Sequence, residues 1–543
     1  MASTYMTPGV YIEEKDAFPN SAVAVETAVP VFIGYTEKAD LYSNSLLNKP
    51  TRITSFAEYL ERFGAGFKAK YTITKVTSDD DKKKAALHVE NTIIVGADTW
   101  YVDIAKDNTL YLFDSIRMFY ANGGGPCYIH SVGLYGGKAS LEVLSTDFTG
   151  STDNPVSAFD ILKKEPEPTL VVIPDAIALG DGAYNTVYTT ALQHCADTQS
   201  RFAILDLAQQ SPVDQTSDIV GKFRDDIGIN ALNYGAAYYP WLKTALVQPT
   251  EVDLDNIDLG AVAAADFFPE AAAKQVLAKY DTDSKAAADA IKTAQDALAA
   301  AKTPEDVAKA TADLAKANDQ PKKIKDSFLQ SLKAVSPTYG AVLEKIRTKM
   351  NELPPSGAMA GLYTMVDASR GVWKAPANVS VNLVNAPSVN ISSEEQQSLN
   401  VDVMAGKSIN VIRAFPGIGT LVWGGRTLDG NSQDWRYINV RRTLIMIEQS
   451  IKLAARAYVF EPNDANTWIT VKSMIDNFLT NLWKQGALAG AVPEQAFDVQ
   501  IGLGSTMTAN DILDGKMLVT VKVAIVRPAE FIIITFQQQM QQS

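Results

Sequence analysis

The C-terminus is the feature of this 543-residue chain that most constrains its fold, because it is made of strand-forming residues rather than a loose polar tail. It reads KMLVTVKVAIVRPAEFIIITFQQQ from Lys516 to Gln539. The first part is an alternating run, in which Val519, Val521 and Val523 lie on one face of the predicted strand. The second part is a nearly continuous apolar run that contains Phe531, Ile532, Ile533 and Ile534. Such a segment needs a partner strand, and an unpaired strand edge invites pairing with another chain.

The N-terminus has the same extended character over a shorter length. It reads TPGVYIEE from Thr7 to Glu14. The residues of this arm that we expect to pair with another chain are Pro8, Gly9, Val10, Tyr11 and Ile12. Two strand-forming ends on one chain predict a subunit that joins its neighbours by strand exchange, and they favour assembly over catalysis.

The composition argues against several classes of protein. A formal net charge of -13 is unfavourable for bulk nucleic-acid binding, which needs a basic surface. No apolar run reaches the roughly 18 residues of a membrane helix, and Met1 to Thr7 is polar and leads straight into Pro8, unlike a signal peptide. Cys127 and Cys195 are too few for a disulfide framework and are expected to be buried free thiols. We therefore expect synthesis in the cytoplasm, with no nucleic-acid partner and no direct membrane insertion.

The order of predicted elements indicates a mixed α/β fold. TLVVIPDA (Thr169 to Ala176) and RFAILDL (Arg201 to Leu207) are apolar runs typical of buried strands, with a helix between them. A second helix around Asp218 to Asp226 precedes a third strand, NYGAAYYPWLK (Asn233 to Lys243). Alternation of strand and helix predicts a partly parallel sheet.

Two regions differ from this pattern and are predicted to be insertions. Between Lys70 and Asp107 three short strands are expected, with the charged run Asp79 to Lys84 as a solvated hairpin tip. From Gly260 to Met350 the chain is rich in Ala, Lys, Asp and Gln, and a cap with a first-turn proline begins a helix at Thr303-Pro304. This region predicts three to four thinly packed helices that project outward and are dispensable for assembly.

The candidate chemical groups favour structural roles. NGGGP (Asn122 to Pro126) follows a predicted helix instead of opening one, so it is interpreted as a tight helix-to-strand turn rather than a phosphate loop. The pair His194-Cys195 and the two other histidines, His88 and His130, do not have the spacing of a zinc site. No catalytic, cofactor-binding or metal-ligating residues are therefore predicted, and no cofactor is expected.

Two carboxylates are the best enzymatic signal in the chain. Asp175 and Asp206 end two parallel-type strands, at the sheet edge where α/β folds bind ligands. No nucleophile elbow, Walker lysine or GxGxxG motif accompanies them. The preferred interpretation is that each caps the helix that follows it.

Arginine and tryptophan cluster in three segments of the C-terminal half: RGVWKAPAN, LVWGGRTL and DWRYINVRR. Arg beside Trp is typical both of protein interfaces and of cation–π pairs inside cores, so both interpretations remain open. The residues assigned to this interface or core set are Arg370, Trp373, Lys374, Trp423, Arg426, Trp435, Arg441 and Arg442.

Several segments together resemble the contractile tail sheath proteins of phages and of phage-tail-like injection systems. They cover about half of the chain in the family's order: TPGVYIEE, AVPVFIGYTEKA, VVIPDA, RFAILDL, AAYYPWL, PPSGAMAGLYTMVDASRGVWKAPAN, SINVIRAFPGIGTLVWGGRTL, WRYINVRRTLIMIEQSI and FEPNDANTWITVKSMIDNFLTNLWKQGALAG. The two predicted insertions do not match the family and resemble decorations of one lineage. The resemblance implies a core built from N- and C-terminal parts, with terminal arms woven into neighbouring subunits.

The resemblance and the composition together divide the chain into six parts. They are an N-terminal extended arm (1–30), an α/β core part (31–64 and 108–245), a small β-rich insertion (65–107), an Ala-rich helical insertion (246–353), a C-terminal sheath core (354–515) and a C-terminal strand arm (516–543).

The function implied by the resemblance is that of a structural subunit. Such a subunit polymerises helically around an inner tube and contracts to drive the tube through a target envelope. The implied partners are further copies of the chain, the inner tube protein, and baseplate and terminal cap proteins, within a phage tail or a released phage-tail-like particle. An extracellular injection system is favoured over a phage tail. The alternatives are a non-contractile tube or shell protein and an α/β hydrolase-type enzyme that uses Asp175 or Asp206.

Overall fold

The computed structural model describes residues 22–87, 89–104, 109–138, 140–153, 155–180, 183–209 and 218–534. The predicted pairing residues Pro8 to Ile12, together with His88, lie outside these ranges. The strands are β1 (Pro30–Thr36), β2 (Asp40–Leu41), β3 (Asn44–Ser45), β4 (Thr51–Ile53), β5 (Tyr71–Lys75), β6 (Thr92–Val95), β7 (Asp98–Ile104), β8 (Cys127–Leu134), β9 (Leu170–Val172), β10 (Phe202–Asp206), β11 (Gly235–Tyr239), β12 (Leu242–Thr244), β13 (Ile257–Asp258), β14 (Glu352–Leu353), β15 (Val379–Ser380), β16 (Val384–Pro387), β17 (Asn410–Phe415), β18 (Gly419–Val422), β19 (Phe497–Ile501) and β20 (Val519–Val523).

The α-helices range from single turns to more than eight turns. They are α1 (Phe56–Phe63), α2 (Asp79–Leu87), α3 (Leu112–Ala121), α4 (Ser145–Thr149), α5 (Ala158–Leu162), α6 (Tyr184–Thr198), α7 (Ile219–Asp226), α8 (Ala264–Phe267), α9 (Ala271–Ala300), α10 (Pro304–Val335), α11 (Pro337–Met350), α12 (Ser356–Arg370), α13 (Ser393–Asn400), α14 (Ile438–Ala455), α15 (Ala465–Lys484), α16 (Pro493–Ala496) and α17 (Ala509–Leu513).

A nine-stranded sheet forms the centre, in the order β15-β18-β17-β11-β10-β9-β1-β8-β4. Its six middle strands, β17 to β8 in that order, run parallel, and antiparallel strands close both edges. The mixed α/β prediction is confirmed. The predicted third strand is shorter than its apolar run, because Asn233 and Tyr234 lie in a 3₁₀ turn and the chain leaves this sheet after Tyr239.

Both faces of the central sheet are buried, as a parallel sheet requires. Val31 and Ile33 of β1 pack into the cluster on one face, which includes Val187 and Tyr188 of α6. Phe32 packs into the cluster on the other face, with residues of α3 and α12. This alternation with period two sets which helices cover which face.

Close backbone contact holds α12 against α3. A Cβ atom on Gly361 would lie 2.5 Å from the carbonyl oxygen of Phe119, and one on Gly357 would lie 2.4 Å from that of Ser115. No larger side chain fits at these positions without moving a helix. The SGAMAG sequence at the start of α12 therefore sets how deeply this layer sits on the sheet.

The two predicted insertions share one hydrophobic core. β13 pairs in parallel with β5, and Trp100 of β7 packs in one cluster with Phe267, Tyr339 and Leu332. The amphipathic face of α11 lies in this cluster through Val342 and Ile346. The prediction that the whole of residues 260–350 projects outward is therefore wrong for α11, because this helix completes the core of the β-rich segment.

The charged run predicted to be a hairpin tip is instead the start of helix α2. Ser78 Oγ accepts from the N–H of Asp81, and an Asp81 carboxylate oxygen accepts from the N–H of Ser78. This reciprocal cap, with three acidic residues in the first turn, stabilises a helix start. The sequence analysis missed the capping pattern because it treated the run only as solvated charge.

The far end of the α9–α10 hairpin has little buried surface. Tyr280 stacks on Phe328 with ring centroids 4.0 Å apart, and beyond this pair the buried residues of the two helices are Ala287 and Ala317. α9 alone is about 45 Å long at 1.5 Å per residue. The prediction of thin packing is confirmed for this part.

We expect that replacing residues 284–324 with a short Gly-Ser loop will change the free energy of unfolding by less than about 0.5 kcal/mol, because little core is lost. Thermal unfolding followed by circular dichroism measures this. As a matched control, deletion of residues 260–350 removes Tyr339, Val342 and Ile346 from their core and should give insoluble protein. Equal stability of the two variants would contradict the shared core.

Candidate assembly interface

The two carboxylates at the sheet edge cap helices, but not the helices that follow them. Asp175 accepts from the N–H groups of Tyr111 and Leu112 at the start of α3, at 2.6 and 2.9 Å, and from the N–H of Tyr35. Asp206 accepts from the N–H of Ser356, which begins α12, at 2.8 Å. The sequence-based assignment to the next helix is therefore wrong, because these helix starts are brought to the sheet edge by the fold.

Burial shifts the acidity of both groups. It raises the pKa of Asp175 to about 6, although the N–H groups of Tyr35, Tyr111 and Leu112 act in the opposite direction. It raises the pKa of Asp206 to about 7, against the opposing effect of hydrogen bonding from Ser356. One oxygen of Asp206 is buried with no partner in the described part of the chain. Their donors are main-chain groups, so these carboxylates hold helices in place.

The histidines and cysteines that were considered as metal ligands are dispersed. Cys127 and Cys195 are buried free thiols, and burial raises the pKa of each to about 12. Burial lowers the pKa of His130 to about 4. Among the described residues, no group of three or more metal-ligating side chains is found. NGGGP forms the turn between α3 and β8, as expected.

Arg201 is a buried cation that the sequence analysis missed. Its guanidinium donates to the main-chain oxygens of Leu162, Glu165 and Pro168, and it contacts His194 Nε2. It is 1% exposed and binds carbonyl oxygens instead of a carboxylate. Its position directly before a strand gave no signal of this role.

The first half of the C-terminal run pairs within its own chain. β20 runs antiparallel to β19, and Val521, Val523 and Ile525 turn their side chains toward the core beneath α15. The alternation predicted from sequence is therefore present. This alternation buries one face of β20. A partner strand from another chain would therefore have to pair with the edge of β20.

One edge of β20 is open. The Ala524 N–H donates to the Ala496 oxygen at 2.8 Å, so the pairs Lys522–Asp498 and Thr520–Gln500 exchange the bonds between the two strands. The N–H and C=O groups of Val519, Val521 and Val523 therefore point away from β19. Within the described ranges, no strand pairs with this edge.

The second half of the C-terminal run is exposed. The exposed fractions of Phe531, Ile532, Ile533 and Ile534 are 69%, 78%, 90% and 70%. A run of four large apolar side chains exposed to water is unfavourable.

A buried ion pair anchors the chain immediately before this exposed run. Glu530 accepts from Arg426 Nε and Nη2 at 2.9 and 2.7 Å, from Asn400 Nδ2 at 2.8 Å and from the Tyr437 hydroxyl at 3.1 Å. Asn439 Nδ2 also donates to the Val526 oxygen. Burial alone would raise the pKa of Glu530, but the hydrogen bonds from Arg426 and Asn400 outweigh it and lower the pKa. We call residues 526–530 the C-terminal root.

A second buried ion pair anchors the chain where the described N-terminal segment joins the body. Arg442 donates to both oxygens of Asp367, at 3.0 and 2.6 Å, and to the Thr27 oxygen at 2.9 Å. The Thr27 hydroxyl donates to Asp367 at 2.6 Å, and the Val25 N–H donates to Ser450 Oγ at 3.0 Å. We call residues 22–28 the N-terminal root.

Both roots are held by helix α14 and the residue before it. Tyr437 and Asn439 bind the C-terminal root, and Arg442 and Ser450 bind the N-terminal root. Arg441 lies between them, with its guanidinium over the rings of Tyr234 and Trp435. Three arginines of the predicted set, Arg426, Arg441 and Arg442, are thus internal.

The other members of the predicted Arg and Trp set lie nearer the surface. Trp423 is 40% exposed and packs against Phe415, and Trp373 is half-buried beside the cluster beneath α15. Arg370 and Lys374 line a groove that ends at Asn122 and Asn382. The sequence placed these residues in one set, and the structure divides them into an internal group and a surface group.

The comparisons with known proteins agree with this architecture. The family described as phage tail sheath C-terminal domain matches residues 431–539. The tail sheath protein of Vibrio phage KVP40 is 25% identical over 210 residues, which cover 37% of this chain and 30% of the phage protein. The chain thus aligns with less than a third of the length of that relative.

Two solved structures resemble the chain from end to end. A sheath complex of the extracellular contractile injection system PVC, in the contracted state, is 27% identical with a TM-score of 0.56, and 99% of each chain is covered. A chain of the anti-feeding prophage baseplate is 28% identical with a TM-score of 0.55, over 99% of this chain and 100% of that one.

These similarities are to proteins of the contractile sheath class. The chain resembles contractile tail sheath proteins by sequence over residues 431–539 and by fold over its whole length. The resemblance found in the sequence motifs is confirmed. Among the described helices, none has the length and apolar character needed to cross a membrane.

The raised pKa of Asp206 predicts how its replacement depends on pH. A carboxyl group whose folded pKa is raised stabilises the fold below its unfolded pKa of about 4, and this contribution is lost as the pH rises through about 7. Asp206→Asn keeps an acceptor for the Ser356 N–H and does not ionise. When the pH is raised from 4.5 to 8, we expect the free energy of unfolding of the variant to increase by about 1–3 kcal/mol relative to that of wild type. Thermal unfolding at both pH values measures this, with the exposed Asp498→Asn as the control. If the variant and wild type differ in stability by the same amount at both pH values, the raised pKa of Asp206 is contradicted.

Because Glu530 anchors the C-terminal root, we expect its replacement to reduce the local protection of amide groups from hydrogen exchange. Glu530→Gln removes the charge that Arg426 binds, so amide exchange in residues 524–532 should accelerate roughly tenfold. Because the folded pKa of Glu530 is lowered, its contribution is present above the unfolded pKa of about 4.3 and is lost as the pH falls below it. Hydrogen exchange read by mass spectrometry measures both effects. Lys522→Gln, which breaks an exposed pair with Asp498, should leave the exchange unchanged.

Proposed function

We propose that this chain is the repeating subunit of a contractile sheath, which polymerises helically around an inner tube and shortens to drive that tube through a target envelope. The observation that carries the proposal is the end-to-end similarity to a sheath complex in its contracted state, at 27% identity over 99% of both chains. The baseplate chain of similar fold supports association with a baseplate. The particle is then a phage tail or an extracellular contractile injection system, assembled before its release from the cytoplasm.

Strand exchange is the proposed means of polymerisation. The outward N–H and C=O groups of β20 and the exposed run from Phe531 to Ile534 offer main-chain and apolar contacts to another copy. The partner segment is the N-terminal arm, in which the sequence predicts an extended stretch from Pro8 to Ile12. Main-chain hydrogen bonds are independent of side-chain identity and survive rotation of the subunit if the arms bend at their roots.

The anchored roots support a sheath that changes shape without coming apart. Arg426–Glu530 and Arg442–Asp367 are both buried, and each holds the body beside an arm. A force applied to an arm therefore reaches α14 through hydrogen-bonded ion pairs. A subunit can turn as a rigid body while its arms stay attached to its neighbours.

A non-enzymatic role agrees with the use of the sheet-edge carboxylates. Asp175 and Asp206 are engaged by helix starts, so the hydrolase alternative lacks the residues on which it depended. The inner tube and a terminal cap are further partners in this proposal. A static tube or shell is the remaining alternative, and two distinct lattice states would exclude it.

Negative-stain electron microscopy of the purified full-length chain, alone and with the tube protein, tests the proposal. Striated hollow polymers that occur in a long narrow form and a short wide form are the expected result. Monodisperse single particles under all salt and protein concentrations, with or without tube protein, would reject it.

A proline at the open edge tests strand exchange. Val521→Pro removes an N–H that points away from β19, so the monomer should fold while polymer formation is lost. Val521→Thr keeps the N–H and should polymerise as wild type does. Deletion of residues 1–19 or 531–543 should behave as the proline variant does. Electron microscopy and sedimentation measure the polymer, and normal polymers from the proline variant would reject β20 as the pairing edge.

A further inference from the structure

A groove of about 610 Å³ lies between the C-terminal ends of α3 and α12 and the strand β15. Its charged lining residues are Arg370 and Lys374, and the other polar lining groups are amides and hydroxyls such as Ser369 and Asn378. Within the described part of the chain, no carboxylate lines it. We call it the basic groove. It is a local positive site on a chain whose formal net charge is -13.

The two cations of the basic groove have no acidic partner among the described residues. The neighbouring carboxylate on α12, Asp367, is already bound to Arg442. Burial and the nearby charge of Arg370 lower the pKa of Lys374. Two uncompensated positive charges at this spacing are unfavourable, and an incoming carboxylate would relieve their repulsion.

The basic groove continues to the C-terminal root. Lys374 and Asn378 also line a second cavity, which is lined as well by Pro528, Ala529 and Glu530. Ile532, at the start of the exposed run, lines the same cavity. A strand that lies along the exposed run therefore passes beside Lys374, and Arg370 lines the adjoining basic groove.

We propose that the basic groove binds the carboxylates of Glu13 and Glu14 in the N-terminal arm of a second copy of this chain. The inference rests on the proposed function, because it names the side-chain contact that accompanies strand exchange. Glu13 and Glu14 directly follow Val10 to Ile12, which the sequence predicts to be extended. Glu13 and Glu14 lie one and two residues beyond this segment, and an extended chain rises about 3.3 Å per residue.

Two adjacent carboxylates suit this groove in either orientation of the arm. Successive side chains of a strand point to opposite faces, so one of the two glutamates faces the groove whichever face the arm presents. Arg370 and Lys374 then bind one carboxylate from two sides. Main-chain pairing supplies the attachment, and the charge contact restricts the register to two adjacent positions.

A charge-exchange experiment on the full-length chain tests this contact. The groove variant carries Arg370→Glu and Lys374→Glu, and the arm variant carries Glu13→Lys and Glu14→Lys. Each variant alone should raise the protein concentration needed for polymerisation at least tenfold. An equimolar mixture should restore it to within threefold of wild type, because each arm then meets a groove of opposite charge. Lys222→Glu, on the opposite face of the sheet, is the control and should polymerise normally.

The other outcomes overturn the proposal. If a variant that carries all four substitutions on one chain polymerises but the equimolar mixture does not, the arm binds the groove of its own chain. If the groove variant polymerises normally alone and fails only with tube protein, the acidic partner is the tube. Circular dichroism of each variant confirms that its monomer is folded.

A peptide measurement separates failure of this contact from failure of the sheath proposal. A labelled peptide of residues 7–16 should bind the wild-type chain by fluorescence anisotropy, and at least tenfold more weakly to the groove variant. Absence of wild-type polymers would reject the sheath proposal alone. Equal peptide affinity for wild type and groove variant would reject the basic groove whether or not polymers form.

Discussion

Helix α14 is the element on which the rest of the architecture depends, because it holds the chain at the base of both arms. Arg442 binds Asp367 and the Thr27 oxygen, while Tyr437 and Asn439 bind the C-terminal root. A buried ion pair is a weak source of stability, but one that loses a partner leaves an uncompensated charge, so the geometry is strongly specified. Segments that are more than 400 residues apart in sequence are thereby fixed to one rigid element.

The same principle organises the central sheet. Asp175 lies in the 3₁₀ helix that follows β9, Asp206 ends the neighbouring parallel strand β10, and each binds the start of a helix on the face that carries α3 and α12. Gly357 and Gly361 let these two helices approach closely. The sheet edge where many α/β proteins bind ligands is here occupied by helix starts. This use of the edge accounts for carboxylates that suggest an enzyme in a protein whose fold is that of a sheath.

The arms and the basic groove form one proposed binding surface. The open edge of β20 provides main-chain groups, the run from Phe531 to Ile534 provides apolar surface, and Arg370 with Lys374 provides charge. Each contributes something that the others lack, since main-chain pairing alone leaves register weakly specified. The anchors lie inside the body and the pairing groups lie on its surface, so the neighbours can change position while the body keeps its fold.

The sequence by itself determined the class of the fold, the strand at Val519–Val523 and the resemblance to sheath proteins, because these follow from local periodicity and contiguous motifs. Only the tertiary structure decided that Asp175 and Asp206 cap α3 and α12, that Arg426 and Arg442 anchor the roots, and that α11 completes the core of the β-rich segment. It also paired β20 with β19 and left one edge free. The physical reason is that capping, ion pairing and shared cores are contacts between residues far apart in the chain. Residue type and spacing fix what each group can bind, and the fold decides which partner it meets.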